Sequence, residues 1–453
     1  IINLWNAKTL KTEASIVGVL QKGIAQVAFS KDGKLLAGVA MNDDHDIAVY
    51  DISDAKNPKL VVTSKGVKDV VLDFKFSITA NNSLIMATQK EVYIADFNAS
   101  GVKISKVSGW GTNKQSALSI AFTKTCDFVV GLQDGTIAAI KGKSVSKIYP
   151  AHKQPVFAMW STASNNTFFT GGGDGTIMMW DSSFKQPKVF TVEAKNFTSM
   201  SPKVRALCYN EQEQKILIGT RGGEIIEMNV ATDSRAFILR GHFNLELWGL
   251  CVHPTLKEYV TCGEDFLIAK WSTIGRNQLM SRKIKFQAKC CAVSYNGAHL
   301  AVGYKNGQVG IFDYSTLKDI ATVKCSIKEI SVIKFSKDNR YLAVGAHDSK
   351  IYIFTVANNY AKSIICKGHH STITQLDFSV DSNVLQSNCT SYELLYWDTK
   401  TGKQDTRGAS SNRDEKWNTW SCVLGWPVQG IFPPCSDGTD INMVDRANKS
   451  DVI

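Results

Sequence analysis

The sequence predicts an all-β chain of tandem β-propeller blades, and three features carry that expectation. A short phrase recurs along the whole chain: a small-residue turn, often with Asp and Gly, then an alternating apolar strand ending on an aromatic or apolar residue. Successive copies are spaced by the length of one four-stranded unit. No stretch sustains a helical period, so helix should be nearly absent.

Clear copies read GGGDGTIMMWD at 171–181, CGEDFLIAKW at 262–271, VGYKNGQVGIFD at 302–313, VGAHDSKIYIF at 344–354 and SYELLYWD at 391–398. The strand-ending residues are Trp5, Tyr50, Ala95, Ile140, Trp180, Met228, Trp271, Phe312, Phe354 and Trp397, at steps of 45, 45, 45, 40, 48, 43, 41, 42 and 43 residues. A period of about 40 to 45 residues with four short strands is the signature of the WD40 blade. Earlier strands of a unit are legible too, as in Ile24, Gln26 and Ala28 before the polar turn Ser30-Lys31-Asp32-Gly33.

Ten marks exceed the roughly four to eight blades of one ring, so the array divides between two rings. At 453 residues the chain is also past the size of a single core. A blade buries its faces only against neighbours, and a ring closes to hide its edge strands. The chain opens on Ile1 inside a strand-like run and stops at Ile453 within a blade, so both rings are expected to be incomplete. Closure would then use residues outside the chain or leave a ring open.

Hydrophobic residues at 44% and charged residues at 21% are ordinary globular values and exclude disorder as the main state. The eleven cysteines are scattered, include the adjacent pair Cys290 and Cys291, and form no C-x-x-C. That pattern argues against zinc sites and against a secreted disulfide framework, and fits a reducing cytosol. The uncharged stretch from Asn418 to Ser436 contains prolines, an Asn and a Gln, so it is not read as a membrane span. No signal peptide is visible.

Three blades share a fuller pattern. His152, His242 and His369 lie 28 or 29 residues before Trp180, Trp271 and Trp397. Between them stand Thr170 and Asp174, then Thr261 and Asp265, each pair four apart with the Asp six before its Trp. Hydroxyl, imidazole and carboxylate are the raw material of a nucleophilic triad. A site repeated blade after blade is better read as structural, a hydrogen-bonded chain tying the loop before the first strand to a later turn and to the indole N–H. The third copy has Ser387 and Ser391 in place of Thr and Asp, and its blade is expected to be the least tightly fastened.

No G-x-S-x-G, P-loop, H-E-x-x-H or G-x-G-x-x-G occurs, so no catalytic residue, cofactor or metal site is assigned. Gly171-Gly172-Gly173-Asp174-Gly175 belongs to a turn between strands, where φ > 0 is needed, and not to a phosphate cradle. The acidic clusters Asn42-Asp43-Asp44-His45-Asp46 and Ser436-Asp437-Gly438-Thr439-Asp440 do not match a calcium loop and read as solvated turns.

The net charge is +11. A basic surface draws polyanions and speeds encounter with them. Lys141, Lys143 and Lys147, and Arg276, Arg282, Lys283, Lys285 and Lys289, concentrate this charge in stretches expected to join one blade to the next. Lysine far outnumbers arginine and no RNA-binding signature interleaves aromatics with it. An acidic protein is therefore favoured over nucleic acid or membrane.

Two stretches are more specific than the blade pattern. Gly241-His242-Phe243-Asn244-Leu245-Glu246-Leu247-Trp248-Gly249-Leu250, and the segment from Trp417 through Trp420-Ser421-Cys422-Val423-Leu424-Gly425 to Ser436-Asp437-Gly438-Thr439-Asp440-Ile441-Asn442 and Arg446-Ala447, resemble the echinoderm microtubule-associated protein-like family. The resemblance runs from Trp5 to the end. It implies a rigid pair of seven-bladed propellers, the first over 1–230 and the second, partial, over 231–453. It also implies a non-enzymatic scaffold that binds tubulin, microtubules or axonemal proteins through its propeller faces, in the cytoplasm, the cytoskeleton or the cilium. A WD40 adaptor in another cytosolic complex is the alternative. The family's N-terminal coiled coil and basic segment are absent from this sequence.

Overall fold

The computed structural model describes residues 1–195, 197–432, 441–447 and 452–453. Ser436-Asp437-Gly438-Thr439-Asp440, singled out above, lies outside them. Among the described residues the chain is mostly strand and turn, with one four-residue α-helix, Gly408–Ser411, and two short 3-10 helices, Val356–Asn358 and Trp426–Ile431. It divides into two compact units, Ile1–Arg240 and Gly241–Ile453.

The first unit holds a two-stranded piece, Ile2–Trp5 with Thr12–Ile16, and five four-stranded sheets whose first strands are Ile24–Phe29, Val71–Phe76, Ala117–Ala121, Val156–Ser161 and Val204–Asn210. The second holds three four-stranded sheets, opening at Leu247–Val252, Ala288–Val293 and Ile330–Phe335, and a three-stranded sheet of Ile373–Phe378, Val384–Cys389 and Leu394–Asp398. Each sheet is an antiparallel meander, as short connections require. Within each unit the first strands of consecutive sheets contact one another, so the sheets converge on their first strands like propeller blades.

Each of the ten strand-ending residues lies on the strand of its sheet expected from the repeat: Trp5 on the first piece, Trp397 on the third strand of the last sheet. The sheet containing Met228 takes Arg235–Leu239 as its outer strand, paired with Ile225–Asn229, so this blade reaches past residue 230, where the resemblance placed the division.

Apolar strand faces are buried between neighbouring sheets. Ala37, Val39, Ile47 and Val49 of one sheet pack with Phe74, Leu84 and Met86 of the next. Val332, Ala343 and Ile351 pack with Leu376, Leu385 and Trp397 in the same way. Middle strands are buried on both faces, as Leu35–Ala40 and Ser83–Thr88 show, and so read as continuous apolar runs. Turns obey their residues. Asp174 precedes Gly175, whose φ of +77° suits glycine, the only positive φ within Gly171–Gly175.

Candidate functional site

The histidine constellations are internal fastenings. In the sheet opening at Val156, His152 Nε2 lies 2.8 Å from Thr170 Oγ1, and Trp180 Nε1 donates to the same oxygen at 3.0 Å. On its other side His152 Nδ1 lies 2.8 Å from Thr176 Oγ1 and 3.2 Å from Asp174 Oδ1, and Asp174 Oδ2 accepts from the Lys153 N–H at 2.9 Å. In the sheet opening at Leu247, His242 contacts Thr261 Oγ1 and Asp265 Oδ2 at 2.8 Å each, and Trp271 Nε1 donates to Thr261 at 2.7 Å. The loop, the second strand, the turn and the third strand are thus tied at one point.

The partners fix the direction of each bond. The indole N–H can only donate, so the Thr oxygen accepts it and gives its own proton to His Nε2, leaving the Nδ1–H for the carboxylate. This order needs a neutral imidazole. Burial lowers the His152 pKa from its ordinary value, against the opposing pull of Asp174. Although burial raises the Asp174 pKa, hydrogen bonds from Thr176 and Lys153 outweigh it and hold the carboxyl below its usual range. The hydroxyl that this imidazole faces, Thr170, is fully buried, so a substrate does not reach it.

The third copy differs from expectation. Ser387 takes the threonine's part, 2.6 Å from His369 Nε2 and accepting from Trp397 Nε1 at 2.8 Å. The carboxylate is supplied by Glu393, not by position 391. Its Oε2 lies 3.2 Å from His369 Nδ1 and accepts the His370 N–H at 3.0 Å, and its Oε1 lies 2.5 Å from His370 Nδ1. The extra methylene of Glu lets it reach back from two places further along the turn, so this blade is fastened by a complete network rather than a weakened one. Burial lowers the His369 pKa against Glu393. The Cys389 thiol, then the His370 N–H, hold the Glu393 pKa at about 2.

Blades without the histidine use other acids, which a search at fixed spacing misses. Glu224 accepts from Ser199 Oγ, from the Met200 N–H at 3.1 Å and from Thr220 Oγ1 at 3.1 Å. Asp348 accepts from Ser326 Oγ at 2.8 Å and from Tyr352 at 2.5 Å. The acidic turn at Asn42 is likewise occupied within the chain, with Lys22 at 3.2 Å from Asp43 and Lys65 at 2.9 Å from Asp44.

Most of the basic residues fall on the outer strands and their hairpins; of those singled out, Lys285 lies in a blade-joining link and Lys289 on the first strand of the next sheet. Lys141 ends one third strand, Lys143 sits in the hairpin that follows, and Lys147 lies on the outer strand Ser144–Pro150; all three are exposed. Arg282 and Lys283 end the outer strand Gln278–Lys283, with Lys285 just beyond. Arg282 is engaged with the next sheet: it donates to Leu317 O, pairs with Asp319 and stands over the Phe312 ring. Lys289 is also engaged, 3.2 Å from Glu264 and over Trp248. Lys283 and Lys285 are exposed.

Buried His-Thr-Asp-Trp chains in sheets that converge on their first strands define a WD40-type β-propeller protein. Its family is equally well marked. Residues 1–228 match the model of the echinoderm microtubule-associated protein first β-propeller, and residues 247–453 that of the second. The chain is 33% identical over 465 residues to echinoderm microtubule-associated protein-like 2 of Rattus norvegicus, covering 100% of itself and 69% of that relative. It is 30% identical over 466 residues to the 77 kDa echinoderm microtubule-associated protein of Strongylocentrotus purpuratus, covering 100% of itself and 66% of that protein. The chain belongs to the echinoderm microtubule-associated protein family.

Proposed function

We propose that this protein is a non-enzymatic, microtubule-associated scaffold of the cytoplasm and cytoskeleton, whose blades present exposed outer strands to tubulin or to axonemal proteins of the cilium. The observation that carries this reading is the match, over the whole chain, to relatives named as microtubule-associated. The chemistry agrees with it. A chain of net charge +11 with Lys141, Lys143, Lys147 and Lys283 exposed on outer strands and hairpins, and Lys285 exposed in the link that follows, attracts an acidic protein surface. Arg282, spent on the neighbouring sheet, contributes to the fold instead.

Co-sedimentation of the full-length protein with stabilised microtubules tests this reading. Binding should weaken as salt shortens the screening length from about 10 Å at 0.1 M to about 3 Å at 1 M. It should also fall when the acidic tubulin tails are removed. Reversing the charge of Lys141, Lys143 and Lys147 together should weaken binding with the melting temperature unchanged, because exposed pairs contribute only about 0 to 1 kcal/mol to a fold. Absence of the protein from the pellet at low salt would overturn the proposal. Salt-independent pelleting would replace charge with shape-matched docking.

A further inference from the structure

At one aligned position two of the histidine blades carry glycine and the third carries cysteine. Gly172 pairs with Val156, Gly263 with Leu247 and Cys389 with Ile373, each partner being the first residue of its sheet's first strand. A Cβ on Gly172 would meet His152 Nδ1 and Asp174 Oδ1 at 2.4 Å, and one on Gly263 would meet Glu246 O at 2.9 Å. The third blade makes room for a side chain here by taking its carboxylate from Glu393. Two coupled changes therefore place a thiol where an imidazole and a carboxylate already converge.

We propose that His369, Cys389 and Glu393 bind one divalent transition-metal ion of borderline softness, such as zinc, with His370 available as a fourth donor from the solvent side. The donor atoms of the first three lie within 4.8 Å of one another. Glu393 Oε2 is 3.0 Å from Cys389 Sγ and 3.2 Å from His369 Nδ1. Tetrahedral zinc, with bonds of about 2.0 Å to nitrogen and 2.3 Å to sulfur, holds its ligands about 3.3 to 3.8 Å apart, so small side-chain shifts suffice. Mixed sulfur, nitrogen and oxygen donors suit that ion better than calcium or magnesium.

The surroundings complete the case. His369 Nε2 faces Ser387 Oγ at 2.6 Å, a partner that orients the ring and leaves Nδ1 for the metal. With Nδ1 on the metal, Nε2–H donates to Ser387, and the serine proton turns to Leu395 O, 3.4 Å away. His369 and Cys389 are buried, whereas the Glu393 side chain is 25% exposed and that of His370 81%, so an ion enters from solvent. On binding, the Cys389 S–H bond breaks, a sulfur–metal bond forms, and one proton per ion passes to solvent. The ion would clamp the loop, the second strand and the turn of the described sheet that has three strands. The absence of C-x-x-C hides such a site, because its ligands stand 20 and 4 residues apart in sequence.

The test uses untagged full-length protein stripped with chelator. Cobalt(II) should titrate to one equivalent with a near-ultraviolet thiolate charge-transfer band, and that band should be lost in Cys389→Ser. Zinc should raise the melting temperature of the parent protein and leave those of Cys389→Ser and Glu393→Gln unmoved. Should either variant not fold, alkylation of the parent read by peptide mass spectrometry decides: zinc should slow labelling of Cys389 at least tenfold relative to exposed Cys208. No charge-transfer band, a band undiminished in Cys389→Ser, or labelling indifferent to zinc would each overturn the site.

Discussion

His152 and Trp180 are joined through a single atom, the Thr170 hydroxyl oxygen, 2.8 Å from the imidazole Nε2 and 3.0 Å from the indole Nε1. That oxygen has one proton to give and must also accept, so one residue sets the polarity of the whole chain.

Thr170→Val should therefore be worse than its small change in volume suggests. It leaves a buried indole N–H and an imidazole nitrogen unpaired, at about 1 to 3 kcal/mol for each buried group. Thr170→Ser keeps the hydroxyl and should lose much less. Denaturant midpoints of the two variants measure the difference, and equal losses would show that packing, not the shared hydroxyl, fastens the blade.

His242→Ala should lower stability by about 1 to 3 kcal/mol through the partners it strands, Thr261 and Asp265. Partner affinity of the protein that remains folded should not change. A large affinity loss at unchanged melting temperature would mean that this histidine serves binding.

The buried histidines give a pH signature. For His152 and His369 the folded pKa lies below the unfolded value near 6.5. Between those two values the unfolded chain binds more protons, so stability is fully present above about 6.5 and declines as pH falls towards the folded pKa. Urea midpoints should drop between pH 7 and 5, and less so in the double variant His152→Gln, His369→Gln. Glu393, with a folded pKa at about 2 against 4.5, adds a second loss below pH 4.5. Midpoints flat from pH 7 to 5 would contradict the neutral-imidazole assignment.

Asp377 should anchor the segment after the last strand. Fully buried, it accepts from Thr419 Oγ1 at 2.6 Å, Ser421 Oγ at 2.7 Å and the Cys422 N–H at 2.8 Å. Asp377→Ala strands several donors at once, at about 1 to 3 kcal/mol for each. Amides of Ser421 and Cys422 should then exchange with deuterium far faster than in the parent protein, while the first unit is unaffected. Unchanged exchange would remove Asp377 from this role.

Arg282 and its neighbours should separate cleanly. Arg282→Glu breaks the contacts with Leu317, Asp319 and Phe312 and should cost about 1 to 2 kcal/mol of stability. Lys283→Glu and Lys285→Glu should leave the melting temperature within error and act on microtubule co-sedimentation alone. A stability loss from the two lysine variants equal to that of Arg282→Glu would contradict the assignment.

By itself the sequence determined the repeat. A blade's buried strands must be apolar at every position facing a neighbour, and its turns must take Asp, Gly and Asn, so the period of about 43 residues is written locally from Trp5 to Trp397. The sets His152, Thr170, Asp174, Trp180 and His242, Thr261, Asp265, Trp271 were legible for the same reason, since strand register fixes their spacing. Only the tertiary structure decided the rest. Glu393 replaces the expected position 391 because reach depends on side-chain length and turn path, which spacing does not encode. Arg282 and Lys283 are adjacent in sequence, yet one pairs with the next sheet and the other faces solvent, because successive side chains of a strand point to opposite faces and only packing tells which face is covered. The meeting of His369, Cys389 and Glu393 needs three strands, a loop and a turn in place, and so it exists only once the blade has folded.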